Sequence, residues 1–199
     1  MDIPVIIIAT TNDGKVREIA EILKEIFPNT IFKSLKDINC NRDVEEDKDT
    51  FKGNAIKKSV EYFEMLGIPC IADDSGLSID EYDGWPGVKT ARFLGEGKTP
   101  RDRNIFILEK MKDLVYEQRK AKHITAISFT SNNKDTYVVE GITEGYISFN
   151  IRGKIGFGFD EIFELPDGRT QAELDSLEKN EISARKKALL LLKDEIKNM

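Results

Sequence analysis

The chain has 199 residues, of which 40% are hydrophobic and 33% are charged, and its net charge is −6. This length and composition are typical of one globular domain with a sizeable hydrophobic core. A negative chain argues against broad nucleic-acid binding, which needs a basic surface, so local lysines and arginines would have to hold any anionic ligand.

Two features predict a cytoplasmic protein that does not associate with membranes. The first 13 residues, "MDIPVIIIATTND", are acidic where a signal peptide is basic, and no apolar run approaches the ~20 residues that span a bilayer. Cys40 and Cys70 form no CxxC pair and have no neighbouring histidine. They are therefore expected to be free thiols rather than zinc ligands or a disulfide.

The first part of the chain alternates predicted strands and helices. Hydrophobic periodicity and β-branched runs support each assignment. In chain order we predict a strand at residues 3–10, a helix at 16–27, a strand at 30–35, a charged loop at 39–50, a helix at 50–66, and a strand at 68–73 with Asp73 and Asp74 at its carboxyl end.

The second part begins with a predicted helix at residues 101–114. Two long strands, at 123–131 and 135–151, are joined by the turn "NNKD" as a hairpin. A capping box at Asp175–Glu178 opens a last helix that is predicted to run close to Asn198. Alternating elements followed by a hairpin indicate an α/β fold with a mixed sheet.

The turn "ATTNDGK" (residues 9–15) lies between the first strand and the first helix. Free backbone N–H groups and the positive end of the helix dipole favour an anion there. Side-chain donors and charge come from Thr10, Thr11, Asn12 and Lys15. In the alternative interpretation, Asn12 or Asp13 caps the helix and Lys15 is solvated.

Carboxylates occur in two pairs, Glu45-Glu46 and Asp73-Asp74. Mg²⁺ takes oxygen ligands, commonly one or two carboxylates together with phosphate oxygens. Neighbouring strand residues point to opposite faces, so Asp73 and Asp74 need not share one role. The alternative is an Asp-Asp-Ser-Gly turn whose carboxylates accept hydrogen bonds from local N–H groups.

The segment "GFGFD" (residues 156–160) places two aromatic rings between glycines. Exposed rings at Phe157 and Phe159 would offer a stacking surface for a flat base, and Asp160 would accept hydrogen bonds from ring N–H groups. The alternative is a bulge whose aromatic side chains belong to the core.

Basic residues crowd the start of the last predicted helix, where the helix dipole disfavours cations. They are Lys179, Arg185, Lys186 and Lys187. A bound anion would explain this inversion, and a solvated basic face is the alternative.

These motifs, in this order and spacing, resemble the inosine triphosphate pyrophosphatase family over nearly the whole chain. The matching stretches are "ATTNDGKVREI", "VEEDKDTFKGNAIKKS", "IADDSGLSIDEYDGWPGVKTARF", "GFGFDEIF" and "SLEKNEISARKKAL". The resemblance implies Mg²⁺-dependent hydrolysis of non-standard purine nucleoside triphosphates (ITP, dITP and XTP) to the monophosphate and pyrophosphate. It also implies an elongated, two-lobed mixed sheet flanked by helices, with one domain over residues 1–199, a central substrate cleft and a homodimer.

The resemblance also implies roles for individual residues. Asp74 matches the general base, Glu46 and Asp73 match metal-site carboxylates alongside Asp74, and Lys15 and Lys58 match lysines that act on the phosphates. The implied nucleotide contacts are Thr10, Thr11, Asn12, Lys15, Ser75, Phe157, Gly158, Phe159, Asp160, Lys179, Ala184 and Arg185. Arg92 is expected to approach the cleft or a partner subunit.

The chain departs from the family pattern at four positions. Ala184 replaces a common histidine beside the base, which puts discrimination among purines in doubt. Glu161 replaces a proline, which is expected to loosen its loop, Thr11 replaces a glycine, and Lys89 replaces a tyrosine. The alternatives are a hydrolase of modified pyrimidine nucleotides, a nucleotide sensor without catalysis, and a structural protein in which the motifs are only turns and caps.

Overall fold

The structure is a computed structural model that describes residues 3–197, without the side chains of Ile26 and Lys197. Its helices are α1 (Asp13–Ile26), α2 (Phe51–Leu66), α3 (Pro100–Lys110), α4 (Ser176–Ile182) and α5 (Ala184–Lys197). Its strands are β1 (Val5–Ile8), β2 (Ile31–Ser34), β3 (Cys70–Ile79), β4 (Lys120–Thr130), β5 (Thr136–Ile147) and β6 (Phe163–Glu164). Short 3₁₀ turns occupy Asp80–Tyr82, Gly87–Lys89, Tyr116–Arg119 and Gln171–Glu173.

The six strands form one mixed sheet in the order β2-β1-β3-β4-β5-β6. β1 runs parallel to both β2 and β3, whereas β5 and β6 are antiparallel. In the predicted turn between β4 and β5, the N–H of Ser131 donates to the carbonyl of Asp135. The α/β class with a mixed sheet flanked by helices is thereby confirmed.

The chain divides into two compact units. Unit 1 comprises the residues through Ser75, Thr125–Gly141, and those from Ala184 onward, and unit 2 comprises Gly76–Ile124 and Ile142–Ser183. The two lobes around a cleft that the resemblance implies stay a prediction. Among residues 3–197, no helix has the length and apolar character needed to cross a membrane.

Unit 1 is held together by two apolar clusters. One joins β1, β3 and β4 to the buried faces of α1 and α5, through residues such as Ile6, Ile19 and Leu189. The other places Tyr62 and Phe63 of α2 with further residues of β1 and β3. The ends of α2 agree with its sequence, since Thr50 caps the first turn and Gly67 adopts a left-handed conformation (φ 65°) after the last.

Unit 2 has one apolar cluster, which includes Leu77 and Ile79 of β3, Ile107 of α3 and Phe163 of β6. α3 begins with a reciprocal capping box between Thr99 and Asp102 and has Pro100 in its first turn. α4 begins with the predicted box between Asp175 and Glu178.

Several predicted element boundaries were wrong. The helix predicted at residues 101–114 ends at Lys110, and the strand predicted at 135–151 ends at Ile147. Two further differences bear on the site. β3 does not end at Asp73 and Asp74 but continues to Ile79, so the acidic pair lies within the strand and the alternative turn is also absent there. The last helix is two helices, because Ser183 has an extended backbone (φ −64°, ψ 143°) between α4 and α5. The predicted end near Asn198 lies outside the described residues.

Candidate active site

The turn before α1 is organised by Asn12. Its Oδ1 accepts hydrogen bonds from the N–H groups of Gly14 (2.9 Å) and Lys15 (3.2 Å), so the capping interpretation is confirmed for Asn12. Thr10 Oγ1 accepts from the N–H of Asn12 at 3.2 Å, and Thr11 is exposed. Asn12 therefore caps α1, but Lys15 in the first turn is half-buried rather than fully solvated.

Lys15 is bound to a buried carboxylate of β3. Its Nζ lies 3.0 Å from Asp73 Oδ2, and its side chain is 18% exposed. Lys15 is therefore not the solvated residue of the alternative interpretation. The contact fixes the ammonium of α1 beside the acidic pair.

Asp73 is the buried centre of an ion-pair network in unit 1. Besides Lys15, Arg185 Nη2 lies 3.2 Å from Asp73 Oδ2, and Arg185 Nη1 is bound to Glu18. Burial alone would raise the pKa of Asp73, but Lys15, Arg185 and Lys58 outweigh it and hold this pKa well below its ordinary value. Asp73 is thus a carboxylate at neutral pH.

Asp74 has a different hydrogen-bond partner from Asp73, as the alternation of side chains along β3 predicts. Its side chain is buried, and its Oδ2 accepts a hydrogen bond of 2.9 Å from Asn54 Nδ2. Burial raises the pKa of Asp74, Glu46 raises it further, and Lys58 and Asn54 oppose the rise. Asp74 is therefore a more basic carboxylate than its neighbour.

Lys58 links the two carboxylate positions to the loop before α2. Its Nζ donates to Glu46 Oε1 at 2.7 Å and to the backbone carbonyl of Asp73. Burial lowers the pKa of Lys58, but Asp73, Glu46 and Asp74 raise it by more, so the ammonium stays charged. Glu46, Asp73, Asp74, Lys15 and Lys58 are called the carboxylate–lysine cluster below.

The donor set of this cluster fits one cation held by two carboxylates. The charge of Glu46 raises the pKa of Asp74, and a divalent cation bound by the two carboxylates would relieve their repulsion. Asp73 is less suited, since its Oδ2 is held by Lys15 and Arg185, although its buried Oδ1 has no hydrogen-bond partner among the described residues.

The predicted trio of metal ligands is not gathered into one cage. Within residues 3–197, no group of three or more His, Cys, Asp or Glu side chains is placed to hold a metal ion. Glu45 is exposed, whereas Glu46 is half-buried. The geometry therefore favours Glu46 with Asp74, and the remaining ligands would have to come from substrate and water.

Arg185 differs from its predicted role as an anion-binding residue at the start of a helix. It does lie in the first turn of α5, but the residue is only 6% exposed, and its guanidinium binds the carboxylates of Glu18 and Asp73. These two carboxylates explain the inverted dipole pattern without a bound anion. Its Nη2 also donates to Ser75 Oγ at 3.4 Å, so a side chain with a predicted nucleotide contact is part of the same network.

Ala184, which replaces the expected histidine, is buried at the first residue of α5. Gly141 of β5 passes so close that a Cβ there would lie 2.1 Å from the carbonyl oxygen of Ala184. This tight backbone packing fixes where α5 begins and thereby the position of Arg185.

In unit 2, Phe157, Asp160 and Lys179 form one group. Lys179 Nζ lies 2.9 Å from Asp160 Oδ2 and 4.3 Å from the centre of the Phe157 ring. The same Asp160 oxygen accepts the N–H of Phe157 at 2.7 Å. Gly156 (φ 101°) allows this turn, because a Cβ there would lie 2.2 Å from that oxygen.

The two predicted stacking rings have different surroundings. Phe157 is 39% exposed, whereas Phe159 is 6% exposed and belongs to the core of unit 2. The Phe159 ring therefore follows the core interpretation and does not offer a stacking face.

Contacts from α3 hold the segment that contains these rings. Asn104 Nδ2 donates to the carbonyl of Gly158 (3.1 Å) and to Glu161 (3.3 Å), and Glu161 also pairs with Arg101 at 3.6 Å. Glu161 was expected to loosen this loop because it replaces a proline. Instead, its contacts with Asn104 and Arg101 attach the loop to α3. Arg92 is exposed in unit 2, and its role stays a prediction.

Sequence reasoning missed the roles of Glu18, Asn54 and Asn104. For Asn54 a signal was present, since residues 54 and 58 are one helical turn apart and fall on one face of α2. Glu18 and Asn104 had no comparable signal, because their partners lie 167 and 54 residues away.

Comparisons with known proteins agree with the motifs. The Ham1 family matches residues 6–195. A dITP/XTP pyrophosphatase of Bacillus subtilis is 44% identical over 184 residues, 92% of each chain, and one of Geobacter sulfurreducens is 41% identical over 192 residues, 96% of each chain. The structure of the Ham1 protein of Staphylococcus aureus superposes with a TM-score of 0.87 at 34% identity and covers 98% of each chain. The chain therefore belongs to the Ham1 family.

Proposed function

We propose that this protein hydrolyses ITP, dITP and XTP to the nucleoside monophosphate and pyrophosphate with Mg²⁺. The observation that carries the proposal is the carboxylate–lysine cluster, in which Asp74, with its raised pKa, lies beside Glu46, buried Lys58 and half-buried Lys15. Relatives named dITP/XTP pyrophosphatase, similar over nearly their whole length, support the substrate class.

Asp74 is the proposed general base. Its pKa is raised by burial, so the carboxylate binds a proton more readily than an exposed aspartate does. In this role it accepts a proton from the water that attacks phosphorus. When bound, Mg²⁺ would polarise that water and neutralise charge on the phosphate oxygens.

Lys15 and Lys58 are the proposed electrostatic groups. Each ammonium is held by carboxylates of the cluster, Lys15 by Asp73 and Lys58 by Glu46. Cations fixed before the substrate arrives stabilise charge that develops on phosphate oxygens in the transition state. We place the triphosphate at this cluster and at the turn of residues 10–15.

The group of Phe157, Asp160 and Lys179 is the proposed contact for the base. The exposed ring of Phe157 supplies a face for stacking, and Lys179 and Asp160 supply a donor and an acceptor. Phe159 would act only through its backbone or through packing. With Ala184 in place of histidine, this group carries the purine preference.

The test is pyrophosphate release from ITP, dITP, XTP, ATP, GTP and dUTP with Mg²⁺, for the native protein and Asp74→Asn. Release from the first three substrates that is lost in the variant is the expected result. Turnover of dUTP alone would favour the pyrimidine hydrolase. Binding without turnover, detected as stabilisation of about 2.7 kcal/mol at 100 times Kd, would indicate a sensor.

A homodimer and a cytoplasmic location remain proposals that rest on the resemblance and on the composition of the chain. Sedimentation of the purified protein at several concentrations tests the first. A single species with the mass of one chain, 22.6 kDa, would contradict it.

A further inference from the structure

Asn54 is a completely buried amide at the start of α2, one helical turn before Lys58. Its Nδ2 donates to Asp74 Oδ2 at 2.9 Å, and its Oδ1 accepts the backbone N–H of Lys48 at 2.9 Å. Nδ2 also lies 3.4 Å from the carbonyl oxygen of Lys48. The side chain thus joins β3 to the loop that precedes α2.

The orientation of this amide follows from its partners. A backbone N–H can only donate, so the oxygen of Asn54 must face Lys48 and its nitrogen must face Asp74. An amide nitrogen can only donate, so Oδ2 of Asp74 must accept. One oxygen of the Asp74 carboxylate, Oδ2, therefore accepts a hydrogen bond from within the protein.

The loop that Asn54 holds also carries Glu46. Lys48 lies two residues after Glu46, and a Cβ at Gly53 would lie 2.9 Å from Lys48 Cβ. Thr50 Oγ1 accepts the N–H of Gly53 at 3.0 Å. These close contacts leave the loop little freedom relative to α2, so the Asn54 amide sets where Glu46 stands with respect to Asp74.

We propose that Asn54 is a positioning residue for the hydrolysis: it fixes the rotamer of Asp74 by donating to one lone pair of Oδ2, and it leaves Oδ1 for the attacking water. It also keeps the Glu46 loop in register with Asp74. This inference rests on the proposed function. A misplaced carboxylate lowers the rate of the chemical step, whereas substrate binding depends on other residues.

The kinetic test compares Asn54→Ala, Asn54→Asp and the control Ser59→Ala. Asn54→Asp keeps an acceptor for Lys48 and loses the donor to Asp74. Ser59 is buried on the same helix and bonds to Ser128 and Thr130 rather than to the cluster. We expect both Asn54 variants to lower kcat for dITP about 10–100-fold with KM unchanged, as is typical when a supporting contact is lost. Ser59→Ala should lower the melting temperature and leave kcat intact.

Two results would overturn the proposal. One is a loss of kcat no greater than that of Ser59→Ala. The other is a further loss of the same factor when Asn54→Ala is added to Asp74→Asn, because a residue that acts through Asp74 has no effect once the base is gone.

A second readout uses the metal-free protein and needs no turnover. In NMR spectra of the native chain, the side-chain amide protons of Asn54 should exchange slowly, and one of the two should shift in Asp74→Ala. Unshifted amide protons in that variant would contradict the contact. If dITP is not hydrolysed by the native protein but the amide protons shift, the proposed function fails while the Asn54–Asp74 contact stands.

Discussion

Asp73 and Arg185 are 112 residues apart in the chain and form a buried ion pair with 3.2 Å between Oδ2 and Nη2. Lys15 binds the same oxygen at 3.0 Å. One carboxylate of β3 therefore holds the first turns of both α1 and α5. Asp73 therefore has a structural role in unit 1, whereas Asp74 is the proposed general base.

Replacing Arg185 with leucine should destabilise the protein strongly. The change leaves Glu18 and Asp73 with fewer cationic partners in a buried place, and breaking a buried pair on one side destabilises by about 3–5 kcal/mol. Because Lys15 still binds Asp73, we expect the lower end of that range. Urea denaturation measures it. Lys112→Leu, which breaks the exposed pair with Glu109, should leave the midpoint unchanged.

Asp73 should make the protein sensitive to acid. Its pKa is lowered in the folded state by Lys15 and Arg185 against the effect of burial, while the unfolded chain has the ordinary value of about 3.9. The stabilising contribution is therefore complete above that value and is lost as the pH falls below it, because the unfolded state binds the proton first. Asp73→Asn should be less stable at neutral pH and lose less stability on acidification. The urea midpoint measured as a function of pH tests this. An equal fall of the midpoint on acidification in the native protein and in Asp73→Asn would contradict the prediction.

The two phenylalanines of the "GFGFD" segment should respond differently to alanine. Phe157→Ala removes an exposed ring and should raise KM for dITP with little change in folding stability. Phe159→Ala empties a core position and should destabilise by about 3–5 kcal/mol. Steady-state kinetics and thermal unfolding of both variants distinguish the roles. Similar losses of stability in the two variants would contradict the different burial of Phe157 and Phe159.

The two thiols should differ in reactivity. Burial raises the pKa of Cys70 to about 12, so this thiol is protonated at neutral pH, and it is fully buried. Cys40 is half-buried. A thiol reagent at neutral pH should label Cys40 in the folded protein and Cys70 only after denaturation. In Cys40→Ser the remaining thiol is Cys70. If the folded variant were labelled as fast as the folded native protein, Cys70 would be accessible and the prediction would be wrong.

The sequence predicted most elements of the fold because their signals are local. The β-branched run of β1 and the capping box at Asp175 are each visible within a few residues. β3 was predicted too short, because an acidic pair followed by Ser-Gly looks like a turn. The cations that keep Asp73 in the strand come from α1 and α5, far away in the chain.

The candidate site was predicted as a set of residue types rather than as an arrangement. Asp74, Glu46 and Lys58 do meet in unit 1. Which ring of "GFGFD" is buried depends on tertiary packing and not on the spacing of the two phenylalanines. The same holds for Arg185, since its carboxylate partner Glu18 is 167 residues away and no local pattern connects them.

The most direct test of the account is ³¹P NMR of dITP during turnover by the native protein with Mg²⁺, with a chelator-treated sample and Asp74→Asn beside it. We predict that dIMP and pyrophosphate appear together in equal amounts, and that both are absent after chelation and in the variant. Formation of dIDP and phosphate, or full turnover by Asp74→Asn, would contradict the account.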